Sequence, residues 1–292
     1  MFGHRNDGID VSRTLDPIVL FTPLIMPTRC ESMNMVNYPA EYEPMAAYIR
    51  KQKNSGHNIS FLTIMAAAFA RTVRKYPTMN YFVMGNRIYR HKDISISLIV
   101  LKDTKDGSLQ EAEAKIILEA GDTIFQVADK MDREVSAAKS ADEGNGTADF
   151  AGKLLRIPVL PRLVVALARL MDRMGILPKS LNKISPFHCS LFITNMMSIG
   201  LPAIFHHLYN FGTCSIFLSV GRPERQTVTV GGQLARRLVL PMGIVTDERI
   251  GGGAEYAQGV HCFLQYLQHP EVLEMTPEEE DQMNAPQAEK LA

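Results

Sequence analysis

Between residues 188 and 245 four extended runs follow one another: C-S-L-F-I-T-N, T-C-S-I-F-L-S-V-G, T-V-T-V and L-A-R-R-L-V-L-P-M-G-I-V. Apolar and β-branched residues dominate them, and Gly, Pro or polar residues separate them. Two earlier strand-like runs, Y-F-V-M and the alternating I-S-I-S-L-I-V-L, join through a G-N turn at Gly85 and Asn86. Helical periodicity fills most of the remainder, without the short regular βα period of a doubly wound fold. The pattern predicts an α/β fold of the mixed kind: an α+β two-layer sandwich whose mixed sheet is flanked by helices.

The helices carry their own punctuation. Glu41 to Lys53 reads as a first helix stopped at N-S-G-H-N, where Gly56 supplies the positive φ. Ser60 caps a second, F-L-T-I-M-A-A-A-F-A-R-T-V-R-K-Y, with cations near its C-terminal end and Pro77 beyond it. Thr123 to Lys139 is a third, and a last helix runs from about Ala254 to Gln268. Residues 1–40 read as an irregular segment with short extended pieces such as I-V-L-F, punctuated by prolines. Residues 41–273 form the main domain, with a helical insertion at about 141–185 that opens on the polar loop S-A-D-E-G-N-G-T-A-D. Residues 274–292 read as a frayed acidic tail.

Thirty-one Lys and Arg balance thirty-one Asp and Glu, so no global field favours nucleic acid. The four cysteines, Cys30, Cys189, Cys214 and Cys262, show no C-x-x-C spacing, which suggests no metal site and buried free thiols in a reducing, cytoplasmic compartment. The most apolar stretch, I-P-V-L-P-R-L-V-V-A-L-A-R-L-M-D-R-M-G-I-L-P, is broken by Pro161, Arg162, Arg169, Asp172 and Arg173 well short of a bilayer span. Stable membrane insertion is not expected. The stretch reads as a helix packed on its own domain or on a neighbouring subunit, with a membrane-surface helix as the alternative.

One loop stands out. T-D-E-R-I-G-G-G, residues 246–253, lies between the last apolar run and the last helix, with three glycines beside an Asp-Glu-Arg triplet. Glycines there suit a backbone that a ligand approaches closely, whereas an internal acid–Arg pair would merely set the loop's shape. His206 and His207 in F-H-H-L-Y offer an imidazole base, with His207 the better candidate. Thr194 and Asn195 end the strand L-F-I-T-N.

Helix two followed by K-Y-P-T-M-N-Y-F, then I-S-I-S-L-I-V, L-F-I-T-N, S-I-F-L-S-V-G and D-E-R-I-G-G-G, occur in an order that resembles the catalytic domain of the 2-oxoacid dehydrogenase acyltransferases. The text S-P-F-H-C-S-L-F-I-T-N and F-H-H-L-Y-N-F-G-T is similar to the stand-alone members of that chloramphenicol acetyltransferase-like superfamily. The resemblance covers roughly residues 10–273. It implies a chloramphenicol acetyltransferase-like fold, homotrimers, and active sites between subunits that take an acyl group from coenzyme A to a small-molecule acceptor. It also implies a loop D-H-R-x-x-D-G carrying the basic histidine, and a T-x-S-N motif whose hydroxyl holds the oxyanion. Asp247, Arg249 and Gly253 match the loop, and Thr194 and Asn195 match the second motif with Thr for Ser. Glu248 stands at the histidine position and Gly252 at the second Asp. The catalytic candidates are therefore Glu248, Thr194 and His207, with Asn195, Asp247, Arg249 and Gly253 as substrate or coenzyme A contacts and no metal. About forty residues precede the first helix, too few for a module of ~100 residues, so no lipoyl group is expected on this chain.

The glutamate matters energetically. A histidine near pKa ~6.5 takes a proton from a thiol near ~8.5 at roughly 3 kcal/mol, an unperturbed glutamate near ~4.3 at roughly 6 kcal/mol. Burial that raises the carboxyl pKa recovers much of the difference. A trimeric relative that binds coenzyme A or a metabolite but has lost the base is the competing expectation.

Overall fold

The computed structural model describes residues 5–103, 109–140 and 159–288. The polar loop at 141–149 lies outside them. Seven strands form one sheet in the order β2-β10-β8-β7-β5-β6, with β9 paired to the first half of β10. These are β2 (Met33–Glu41), β5 (Ile94–Asp103), β6 (Leu109–Leu118), β7 (Leu191–Asn195), β8 (Ile216–Val220), β9 (Glu224–Val230) and β10 (Gln233–Asp247). The β5–β7 and β7–β8 pairs are parallel and the others antiparallel, so the sheet is mixed, as the sequence pattern predicts. A small second sheet has the order β1-β4-β3, from Gly8–Asp10, Arg87–His91 and Tyr81–Met84.

Period-two alternation divides the large sheet's side chains between two faces. Ile96, Leu98, Ile193, Leu218, Met242 and Ile244 enter the main core. Helices α2 (Tyr42–Asn54), α3 (Phe61–Lys75), α4 (Ile124–Ser140) and α7 (Gly253–Gln268) cover that face. Helix α3 lies at the centre, buried from Thr63 to Val73. It starts where the Ser60 hydroxyl accepts the Thr63 amide and the Thr63 hydroxyl accepts the Ser60 amide, which satisfies two otherwise orphan donors. The opposite face carries a smaller cluster of Phe192, Phe217, Val245, Leu208, Cys189 and Cys214.

Residues 201–208 run over this second face as an irregular strap. The Ile204 amide donates to the Ser219 hydroxyl at 3.0 Å, and two glycines let the strap touch the strands. A Cβ at Gly221 would lie 2.2 Å from the Ala203 nitrogen, and one at Gly243 would lie 2.3 Å from the Ile204 oxygen.

Several expectations are corrected. I-V-L-F belongs to helix α1 (Pro17–Ile25), not an extended piece, because the Asp16 carboxylate caps the Ile18 amide and Pro17 suits the first helical position. Met33–Glu41, within the segment expected to be irregular, is edge strand β2. The turn at Gly85 and Asn86, with φ of 59° and 64°, joins β3 to β4 and not to I-S-I-S-L-I-V-L. Cys30 is exposed, whereas the other three thiols are buried.

The C-terminal segment is also ordered: α8 spans Pro277–Ala288. Its Glu280 carboxylate is buried, accepting from Arg71 Nη1 and Tyr266 Oη at 2.7 and 2.6 Å and pairing with Lys75 Nζ at 2.5 Å. Helix α5 (Leu160–Met174), expected to pack, buries only Asp172, and α6 (Lys179–Ile184) follows it. Among the described residues no helix is long and apolar enough to cross a membrane.

Candidate active site

Strand β10 ends in the T-D-E-R loop, and its last residue is locked in place. Asp247 is fully buried, and its two oxygens accept from Arg249 Nε and Nη2, both at 2.8 Å. Ser32 Oγ donates to Oδ1 at 2.9 Å, and Arg29 Nε lies 3.7 Å from Oδ2. Arg249 Nη1 donates to the Met26 carbonyl, and Arg29 to the carbonyls of Tyr209 and Val83. Burial pulls the Arg29 guanidinium below its ordinary pKa, against the opposing field of Asp247. Asp247 and Arg249, expected as ligand contacts, are thus engaged within the chain and fix the shape of the loop.

That shape turns Glu248 outward. Its amide donates to the Ser32 carbonyl at 2.8 Å, while the residue itself is exposed. The expected buried carboxylate is not formed by one chain. Arg249 binds Asp247, not Glu248. None of the three glycines takes a positive φ. Gly251 is extended, and Gly252 is the N-cap of α7 without a side chain to cap it. A Cβ at Gly252 or Gly253 would meet nothing within 4 Å, so these two positions supply open space.

The space belongs to a cavity of about 180 Å³ bounded by α1, the loop and the start of α7. Glu248 and Gly253 line it, with Thr78, Thr246 and Tyr256. Thr246 Oγ1 and Tyr256 Oη are buried near each other, and neither has a partner at ordinary hydrogen-bond geometry among the described residues. Burial raises the Tyr256 phenol pKa, which keeps it a neutral donor. Two orphan hydroxyls beside a carboxylate can hold and activate a polar group. Neither hydroxyl was among the sequence candidates. Thr246 directly precedes the triplet at the end of β10, and Tyr256 lies about one helical turn past Gly253, so only Tyr256 was within reach of a helical-spacing argument.

The T-N motif is divided between the two faces of the sheet. Thr194 is half-buried opposite Ser219, on the strap side, and its hydroxyl makes only a 3.7 Å contact with Met196 Sδ. Asn195 lines a separate cavity of about 300 Å³ with Ser60, Thr63 and Ser198. Its Oδ1 is buried and unpartnered. Register places Thr194 beside Ser219 and Thr246 beside Ile216, at opposite ends of β8. Three residues along the strand and two strands across separate them by roughly 14 Å, so a single chain cannot bring both hydroxyls to one carbonyl.

His207 lines neither cavity. The exposed ring stacks on His206 at 4.5 Å and meets Tyr209 edge-on, while His206 stacks on Phe217 at 4.1 Å. Burial lowers the pKa of His206. Among the described residues no group of three or more His, Cys, Asp or Glu could hold a metal ion.

Neither models of protein families nor curated protein sequences return a match to this chain. Solved structures do. A probable dihydrolipoamide acetyltransferase from Listeria monocytogenes 4b F2365 superposes with a TM-score of 0.52 at 15% identity, covering 87% of this chain and 93% of that one. The cubic core of a pyruvate dehydrogenase multienzyme complex gives 0.54 at 16% identity, covering 91% and 92%. A chloramphenicol acetyltransferase gives 0.51 at 9% identity, covering 90% and 98%. The chain therefore has the fold of the 2-oxoacid dehydrogenase acyltransferase cores and of chloramphenicol acetyltransferase, as its ordered motifs implied.

Proposed function

We propose that the protein is a coenzyme A-dependent acyltransferase that works as a homotrimer. The observation that carries this is the cavity at the T-D-E-R loop, where Glu248 stands beside the orphan hydroxyls of Thr246 and Tyr256. At about 180 Å³ it is smaller than the ~300 Å³ at the low end of small-molecule pockets, so it suits the reactive end of a donor. The rest of coenzyme A is held between copies.

Glu248 takes the proton of the acceptor's thiol, hydroxyl or amine, which attacks the thioester carbonyl. The resulting oxyanion accepts a hydrogen bond from Thr194 of the neighbouring copy. Collapse breaks the carbon–sulfur bond, and the coenzyme A thiolate recovers the proton from Glu248. Packing against the neighbour shields Glu248 from solvent. Asn195 and Gly253 line the path of the substrates. Asp247 and Arg249 act as positioning residues, and His207 is the alternative base.

The exposure of Glu248 in one chain favours a second reading, a trimeric relative that binds coenzyme A or a metabolite without turnover. Release of free coenzyme A across a panel of acyl donors and acceptors separates the two. Glu248→Gln should then lower turnover by about a hundredfold or more while calorimetry finds donor binding nearly unchanged. Full activity in Glu248→Gln together with none in His207→Ala moves the base to the strap. Donor binding without any turnover establishes the second reading.

A further inference from the structure

Helix α5 is fastened to the body at one end. Asp172, its single buried residue, accepts from Arg5 Nη2 at 2.7 Å and lies 3.3 Å from His188 Nε2, while Arg5 Nη1 also donates to the Asp172 carbonyl. Over the rest of the helix two surfaces face solvent. Leu163, Val164, Leu167, Leu170 and Met174 are 41–63% exposed. Their spacing sets them along one side of a helix about 22 Å long. Arg162, Arg169 and Arg173, all exposed, share another side.

Charge decides what fits this surface. From residue 159 to 184 the basic residues are Arg162, Arg169, Arg173, Lys179 and Lys183, and Asp172 is the one acid, in a chain whose acids and bases balance at 31 each. That acid is buried against Arg5 and His188, so the exposed part of α5 is purely cationic and apolar. Helix α6 continues the composition, with Leu181 and Ile184 exposed beside Lys179 and Lys183. Helix α1 provides the contrast. Its exposed Ile18, Phe21, Leu24 and Ile25 carry no charge among them and lie next to the T-D-E-R cavity, a surface suited to a second copy of the chain. An apolar stripe with an arginine-rich opposite side and no exposed acid is instead the signature of a helix lying in a bilayer interface.

We propose that α5 and α6 dock the protein on an anionic lipid surface. The leucine side of α5 enters the boundary between headgroups and acyl chains, and the arginines and lysines meet lipid phosphates. The helix lies on the membrane and does not span it.

Co-sedimentation of the full chain with vesicles of phosphatidylcholine alone, or mixed with phosphatidylglycerol, tests this. Binding should require phosphatidylglycerol and disappear at high salt. Replacing Arg162, Arg169 and Arg173 by Gln should weaken it about a hundredfold, and Leu167→Asp should weaken it further. These side chains are exposed, so thermal unfolding of the variants should match the parent. Hydrogen exchange on the unaltered chain gives a second readout, since amides across 163–174 should slow when anionic vesicles are added. A chain that stays in the supernatant with anionic vesicles overturns the proposal, as does equal binding to neutral ones. Leu167→Asp changing the oligomeric state by light scattering, with vesicle binding intact, would assign the face to a second copy.

Discussion

At the scale of residues, the loop's chemistry and its architecture belong to different side chains of one triplet. Asp247 pairs with two buried guanidiniums, and replacing one partner of such a cluster leaves charge buried and uncompensated. Asp247→Asn should therefore lower unfolding stability by about 3–5 kcal/mol in a denaturant titration. Glu248→Gln, which breaks no hydrogen bond or ion pair among the described residues, should change stability by less than about 0.5 kcal/mol while lowering turnover about a hundredfold or more. If both substitutions cost the same stability, the division is wrong. The triplet drew attention in the sequence, yet its internal division was hidden there. Ser32 and Arg29, which tie down Asp247, lie more than two hundred positions upstream, and no local pattern announces them.

At the scale of elements, α8 depends on the ionisation of one carboxylate. Burial pushes the Glu280 pKa up, but hydrogen bonds from Lys75, Tyr266 and Arg71 outweigh it and hold the carboxyl below its ordinary value. A group depressed in the folded state contributes stability that is fully present above its unfolded pKa, about 4.3 for Glu. That contribution is lost as pH falls through the lower folded value. Acidification in this window should undock α8, and Glu280→Gln should do so at neutral pH, read as new proteolytic cleavage within 277–288. An unchanged digestion pattern would mean that other contacts hold the helix. The capped helices were legible because their signals are local: Ser60 before α3, Gly56 after α2. Strands β2 and β6 were not, and they lie at the two ends of the strand order of the large sheet. Edge strands tolerate proline and charge: Pro39 interrupts M-N-M-V-N-Y-P-A-E, and in L-Q-E-A-E-A-K-I-I-L the alternation is carried in part by Ala112 and Ala114, a weaker signal than the Ile and Leu of central strands.

At the scale of the whole molecule, the roughly 14 Å between the Thr194 and Thr246 ends of β8 makes the proposed site a property of the assembly. Glu248→Gln and Thr194→Ala subunits should each be nearly inactive alone. Refolded together in equal amounts, they should recover about a quarter of the parent turnover, because one interface in four pairs an intact Glu248 with an intact Thr194. No recovery in mixed trimers would place both groups in a single chain. The fold itself was legible from the order of the motifs, whereas the distance between them was not, because spacing along a chain carries no measure of separation across a sheet.

The strap over Gly221 and Gly243 bears on how freely this sequence can drift. With neighbouring backbone atoms 2.2 and 2.3 Å from where a side chain would begin, both positions admit a hydrogen atom and nothing larger. Any other residue would lift 203–204 off the sheet, and with them the ring of His206 from Phe217. The identities of the histidines are open to exchange, but the path of the chain that carries them is not. Across divergent relatives these two glycines should outlast the histidines above them.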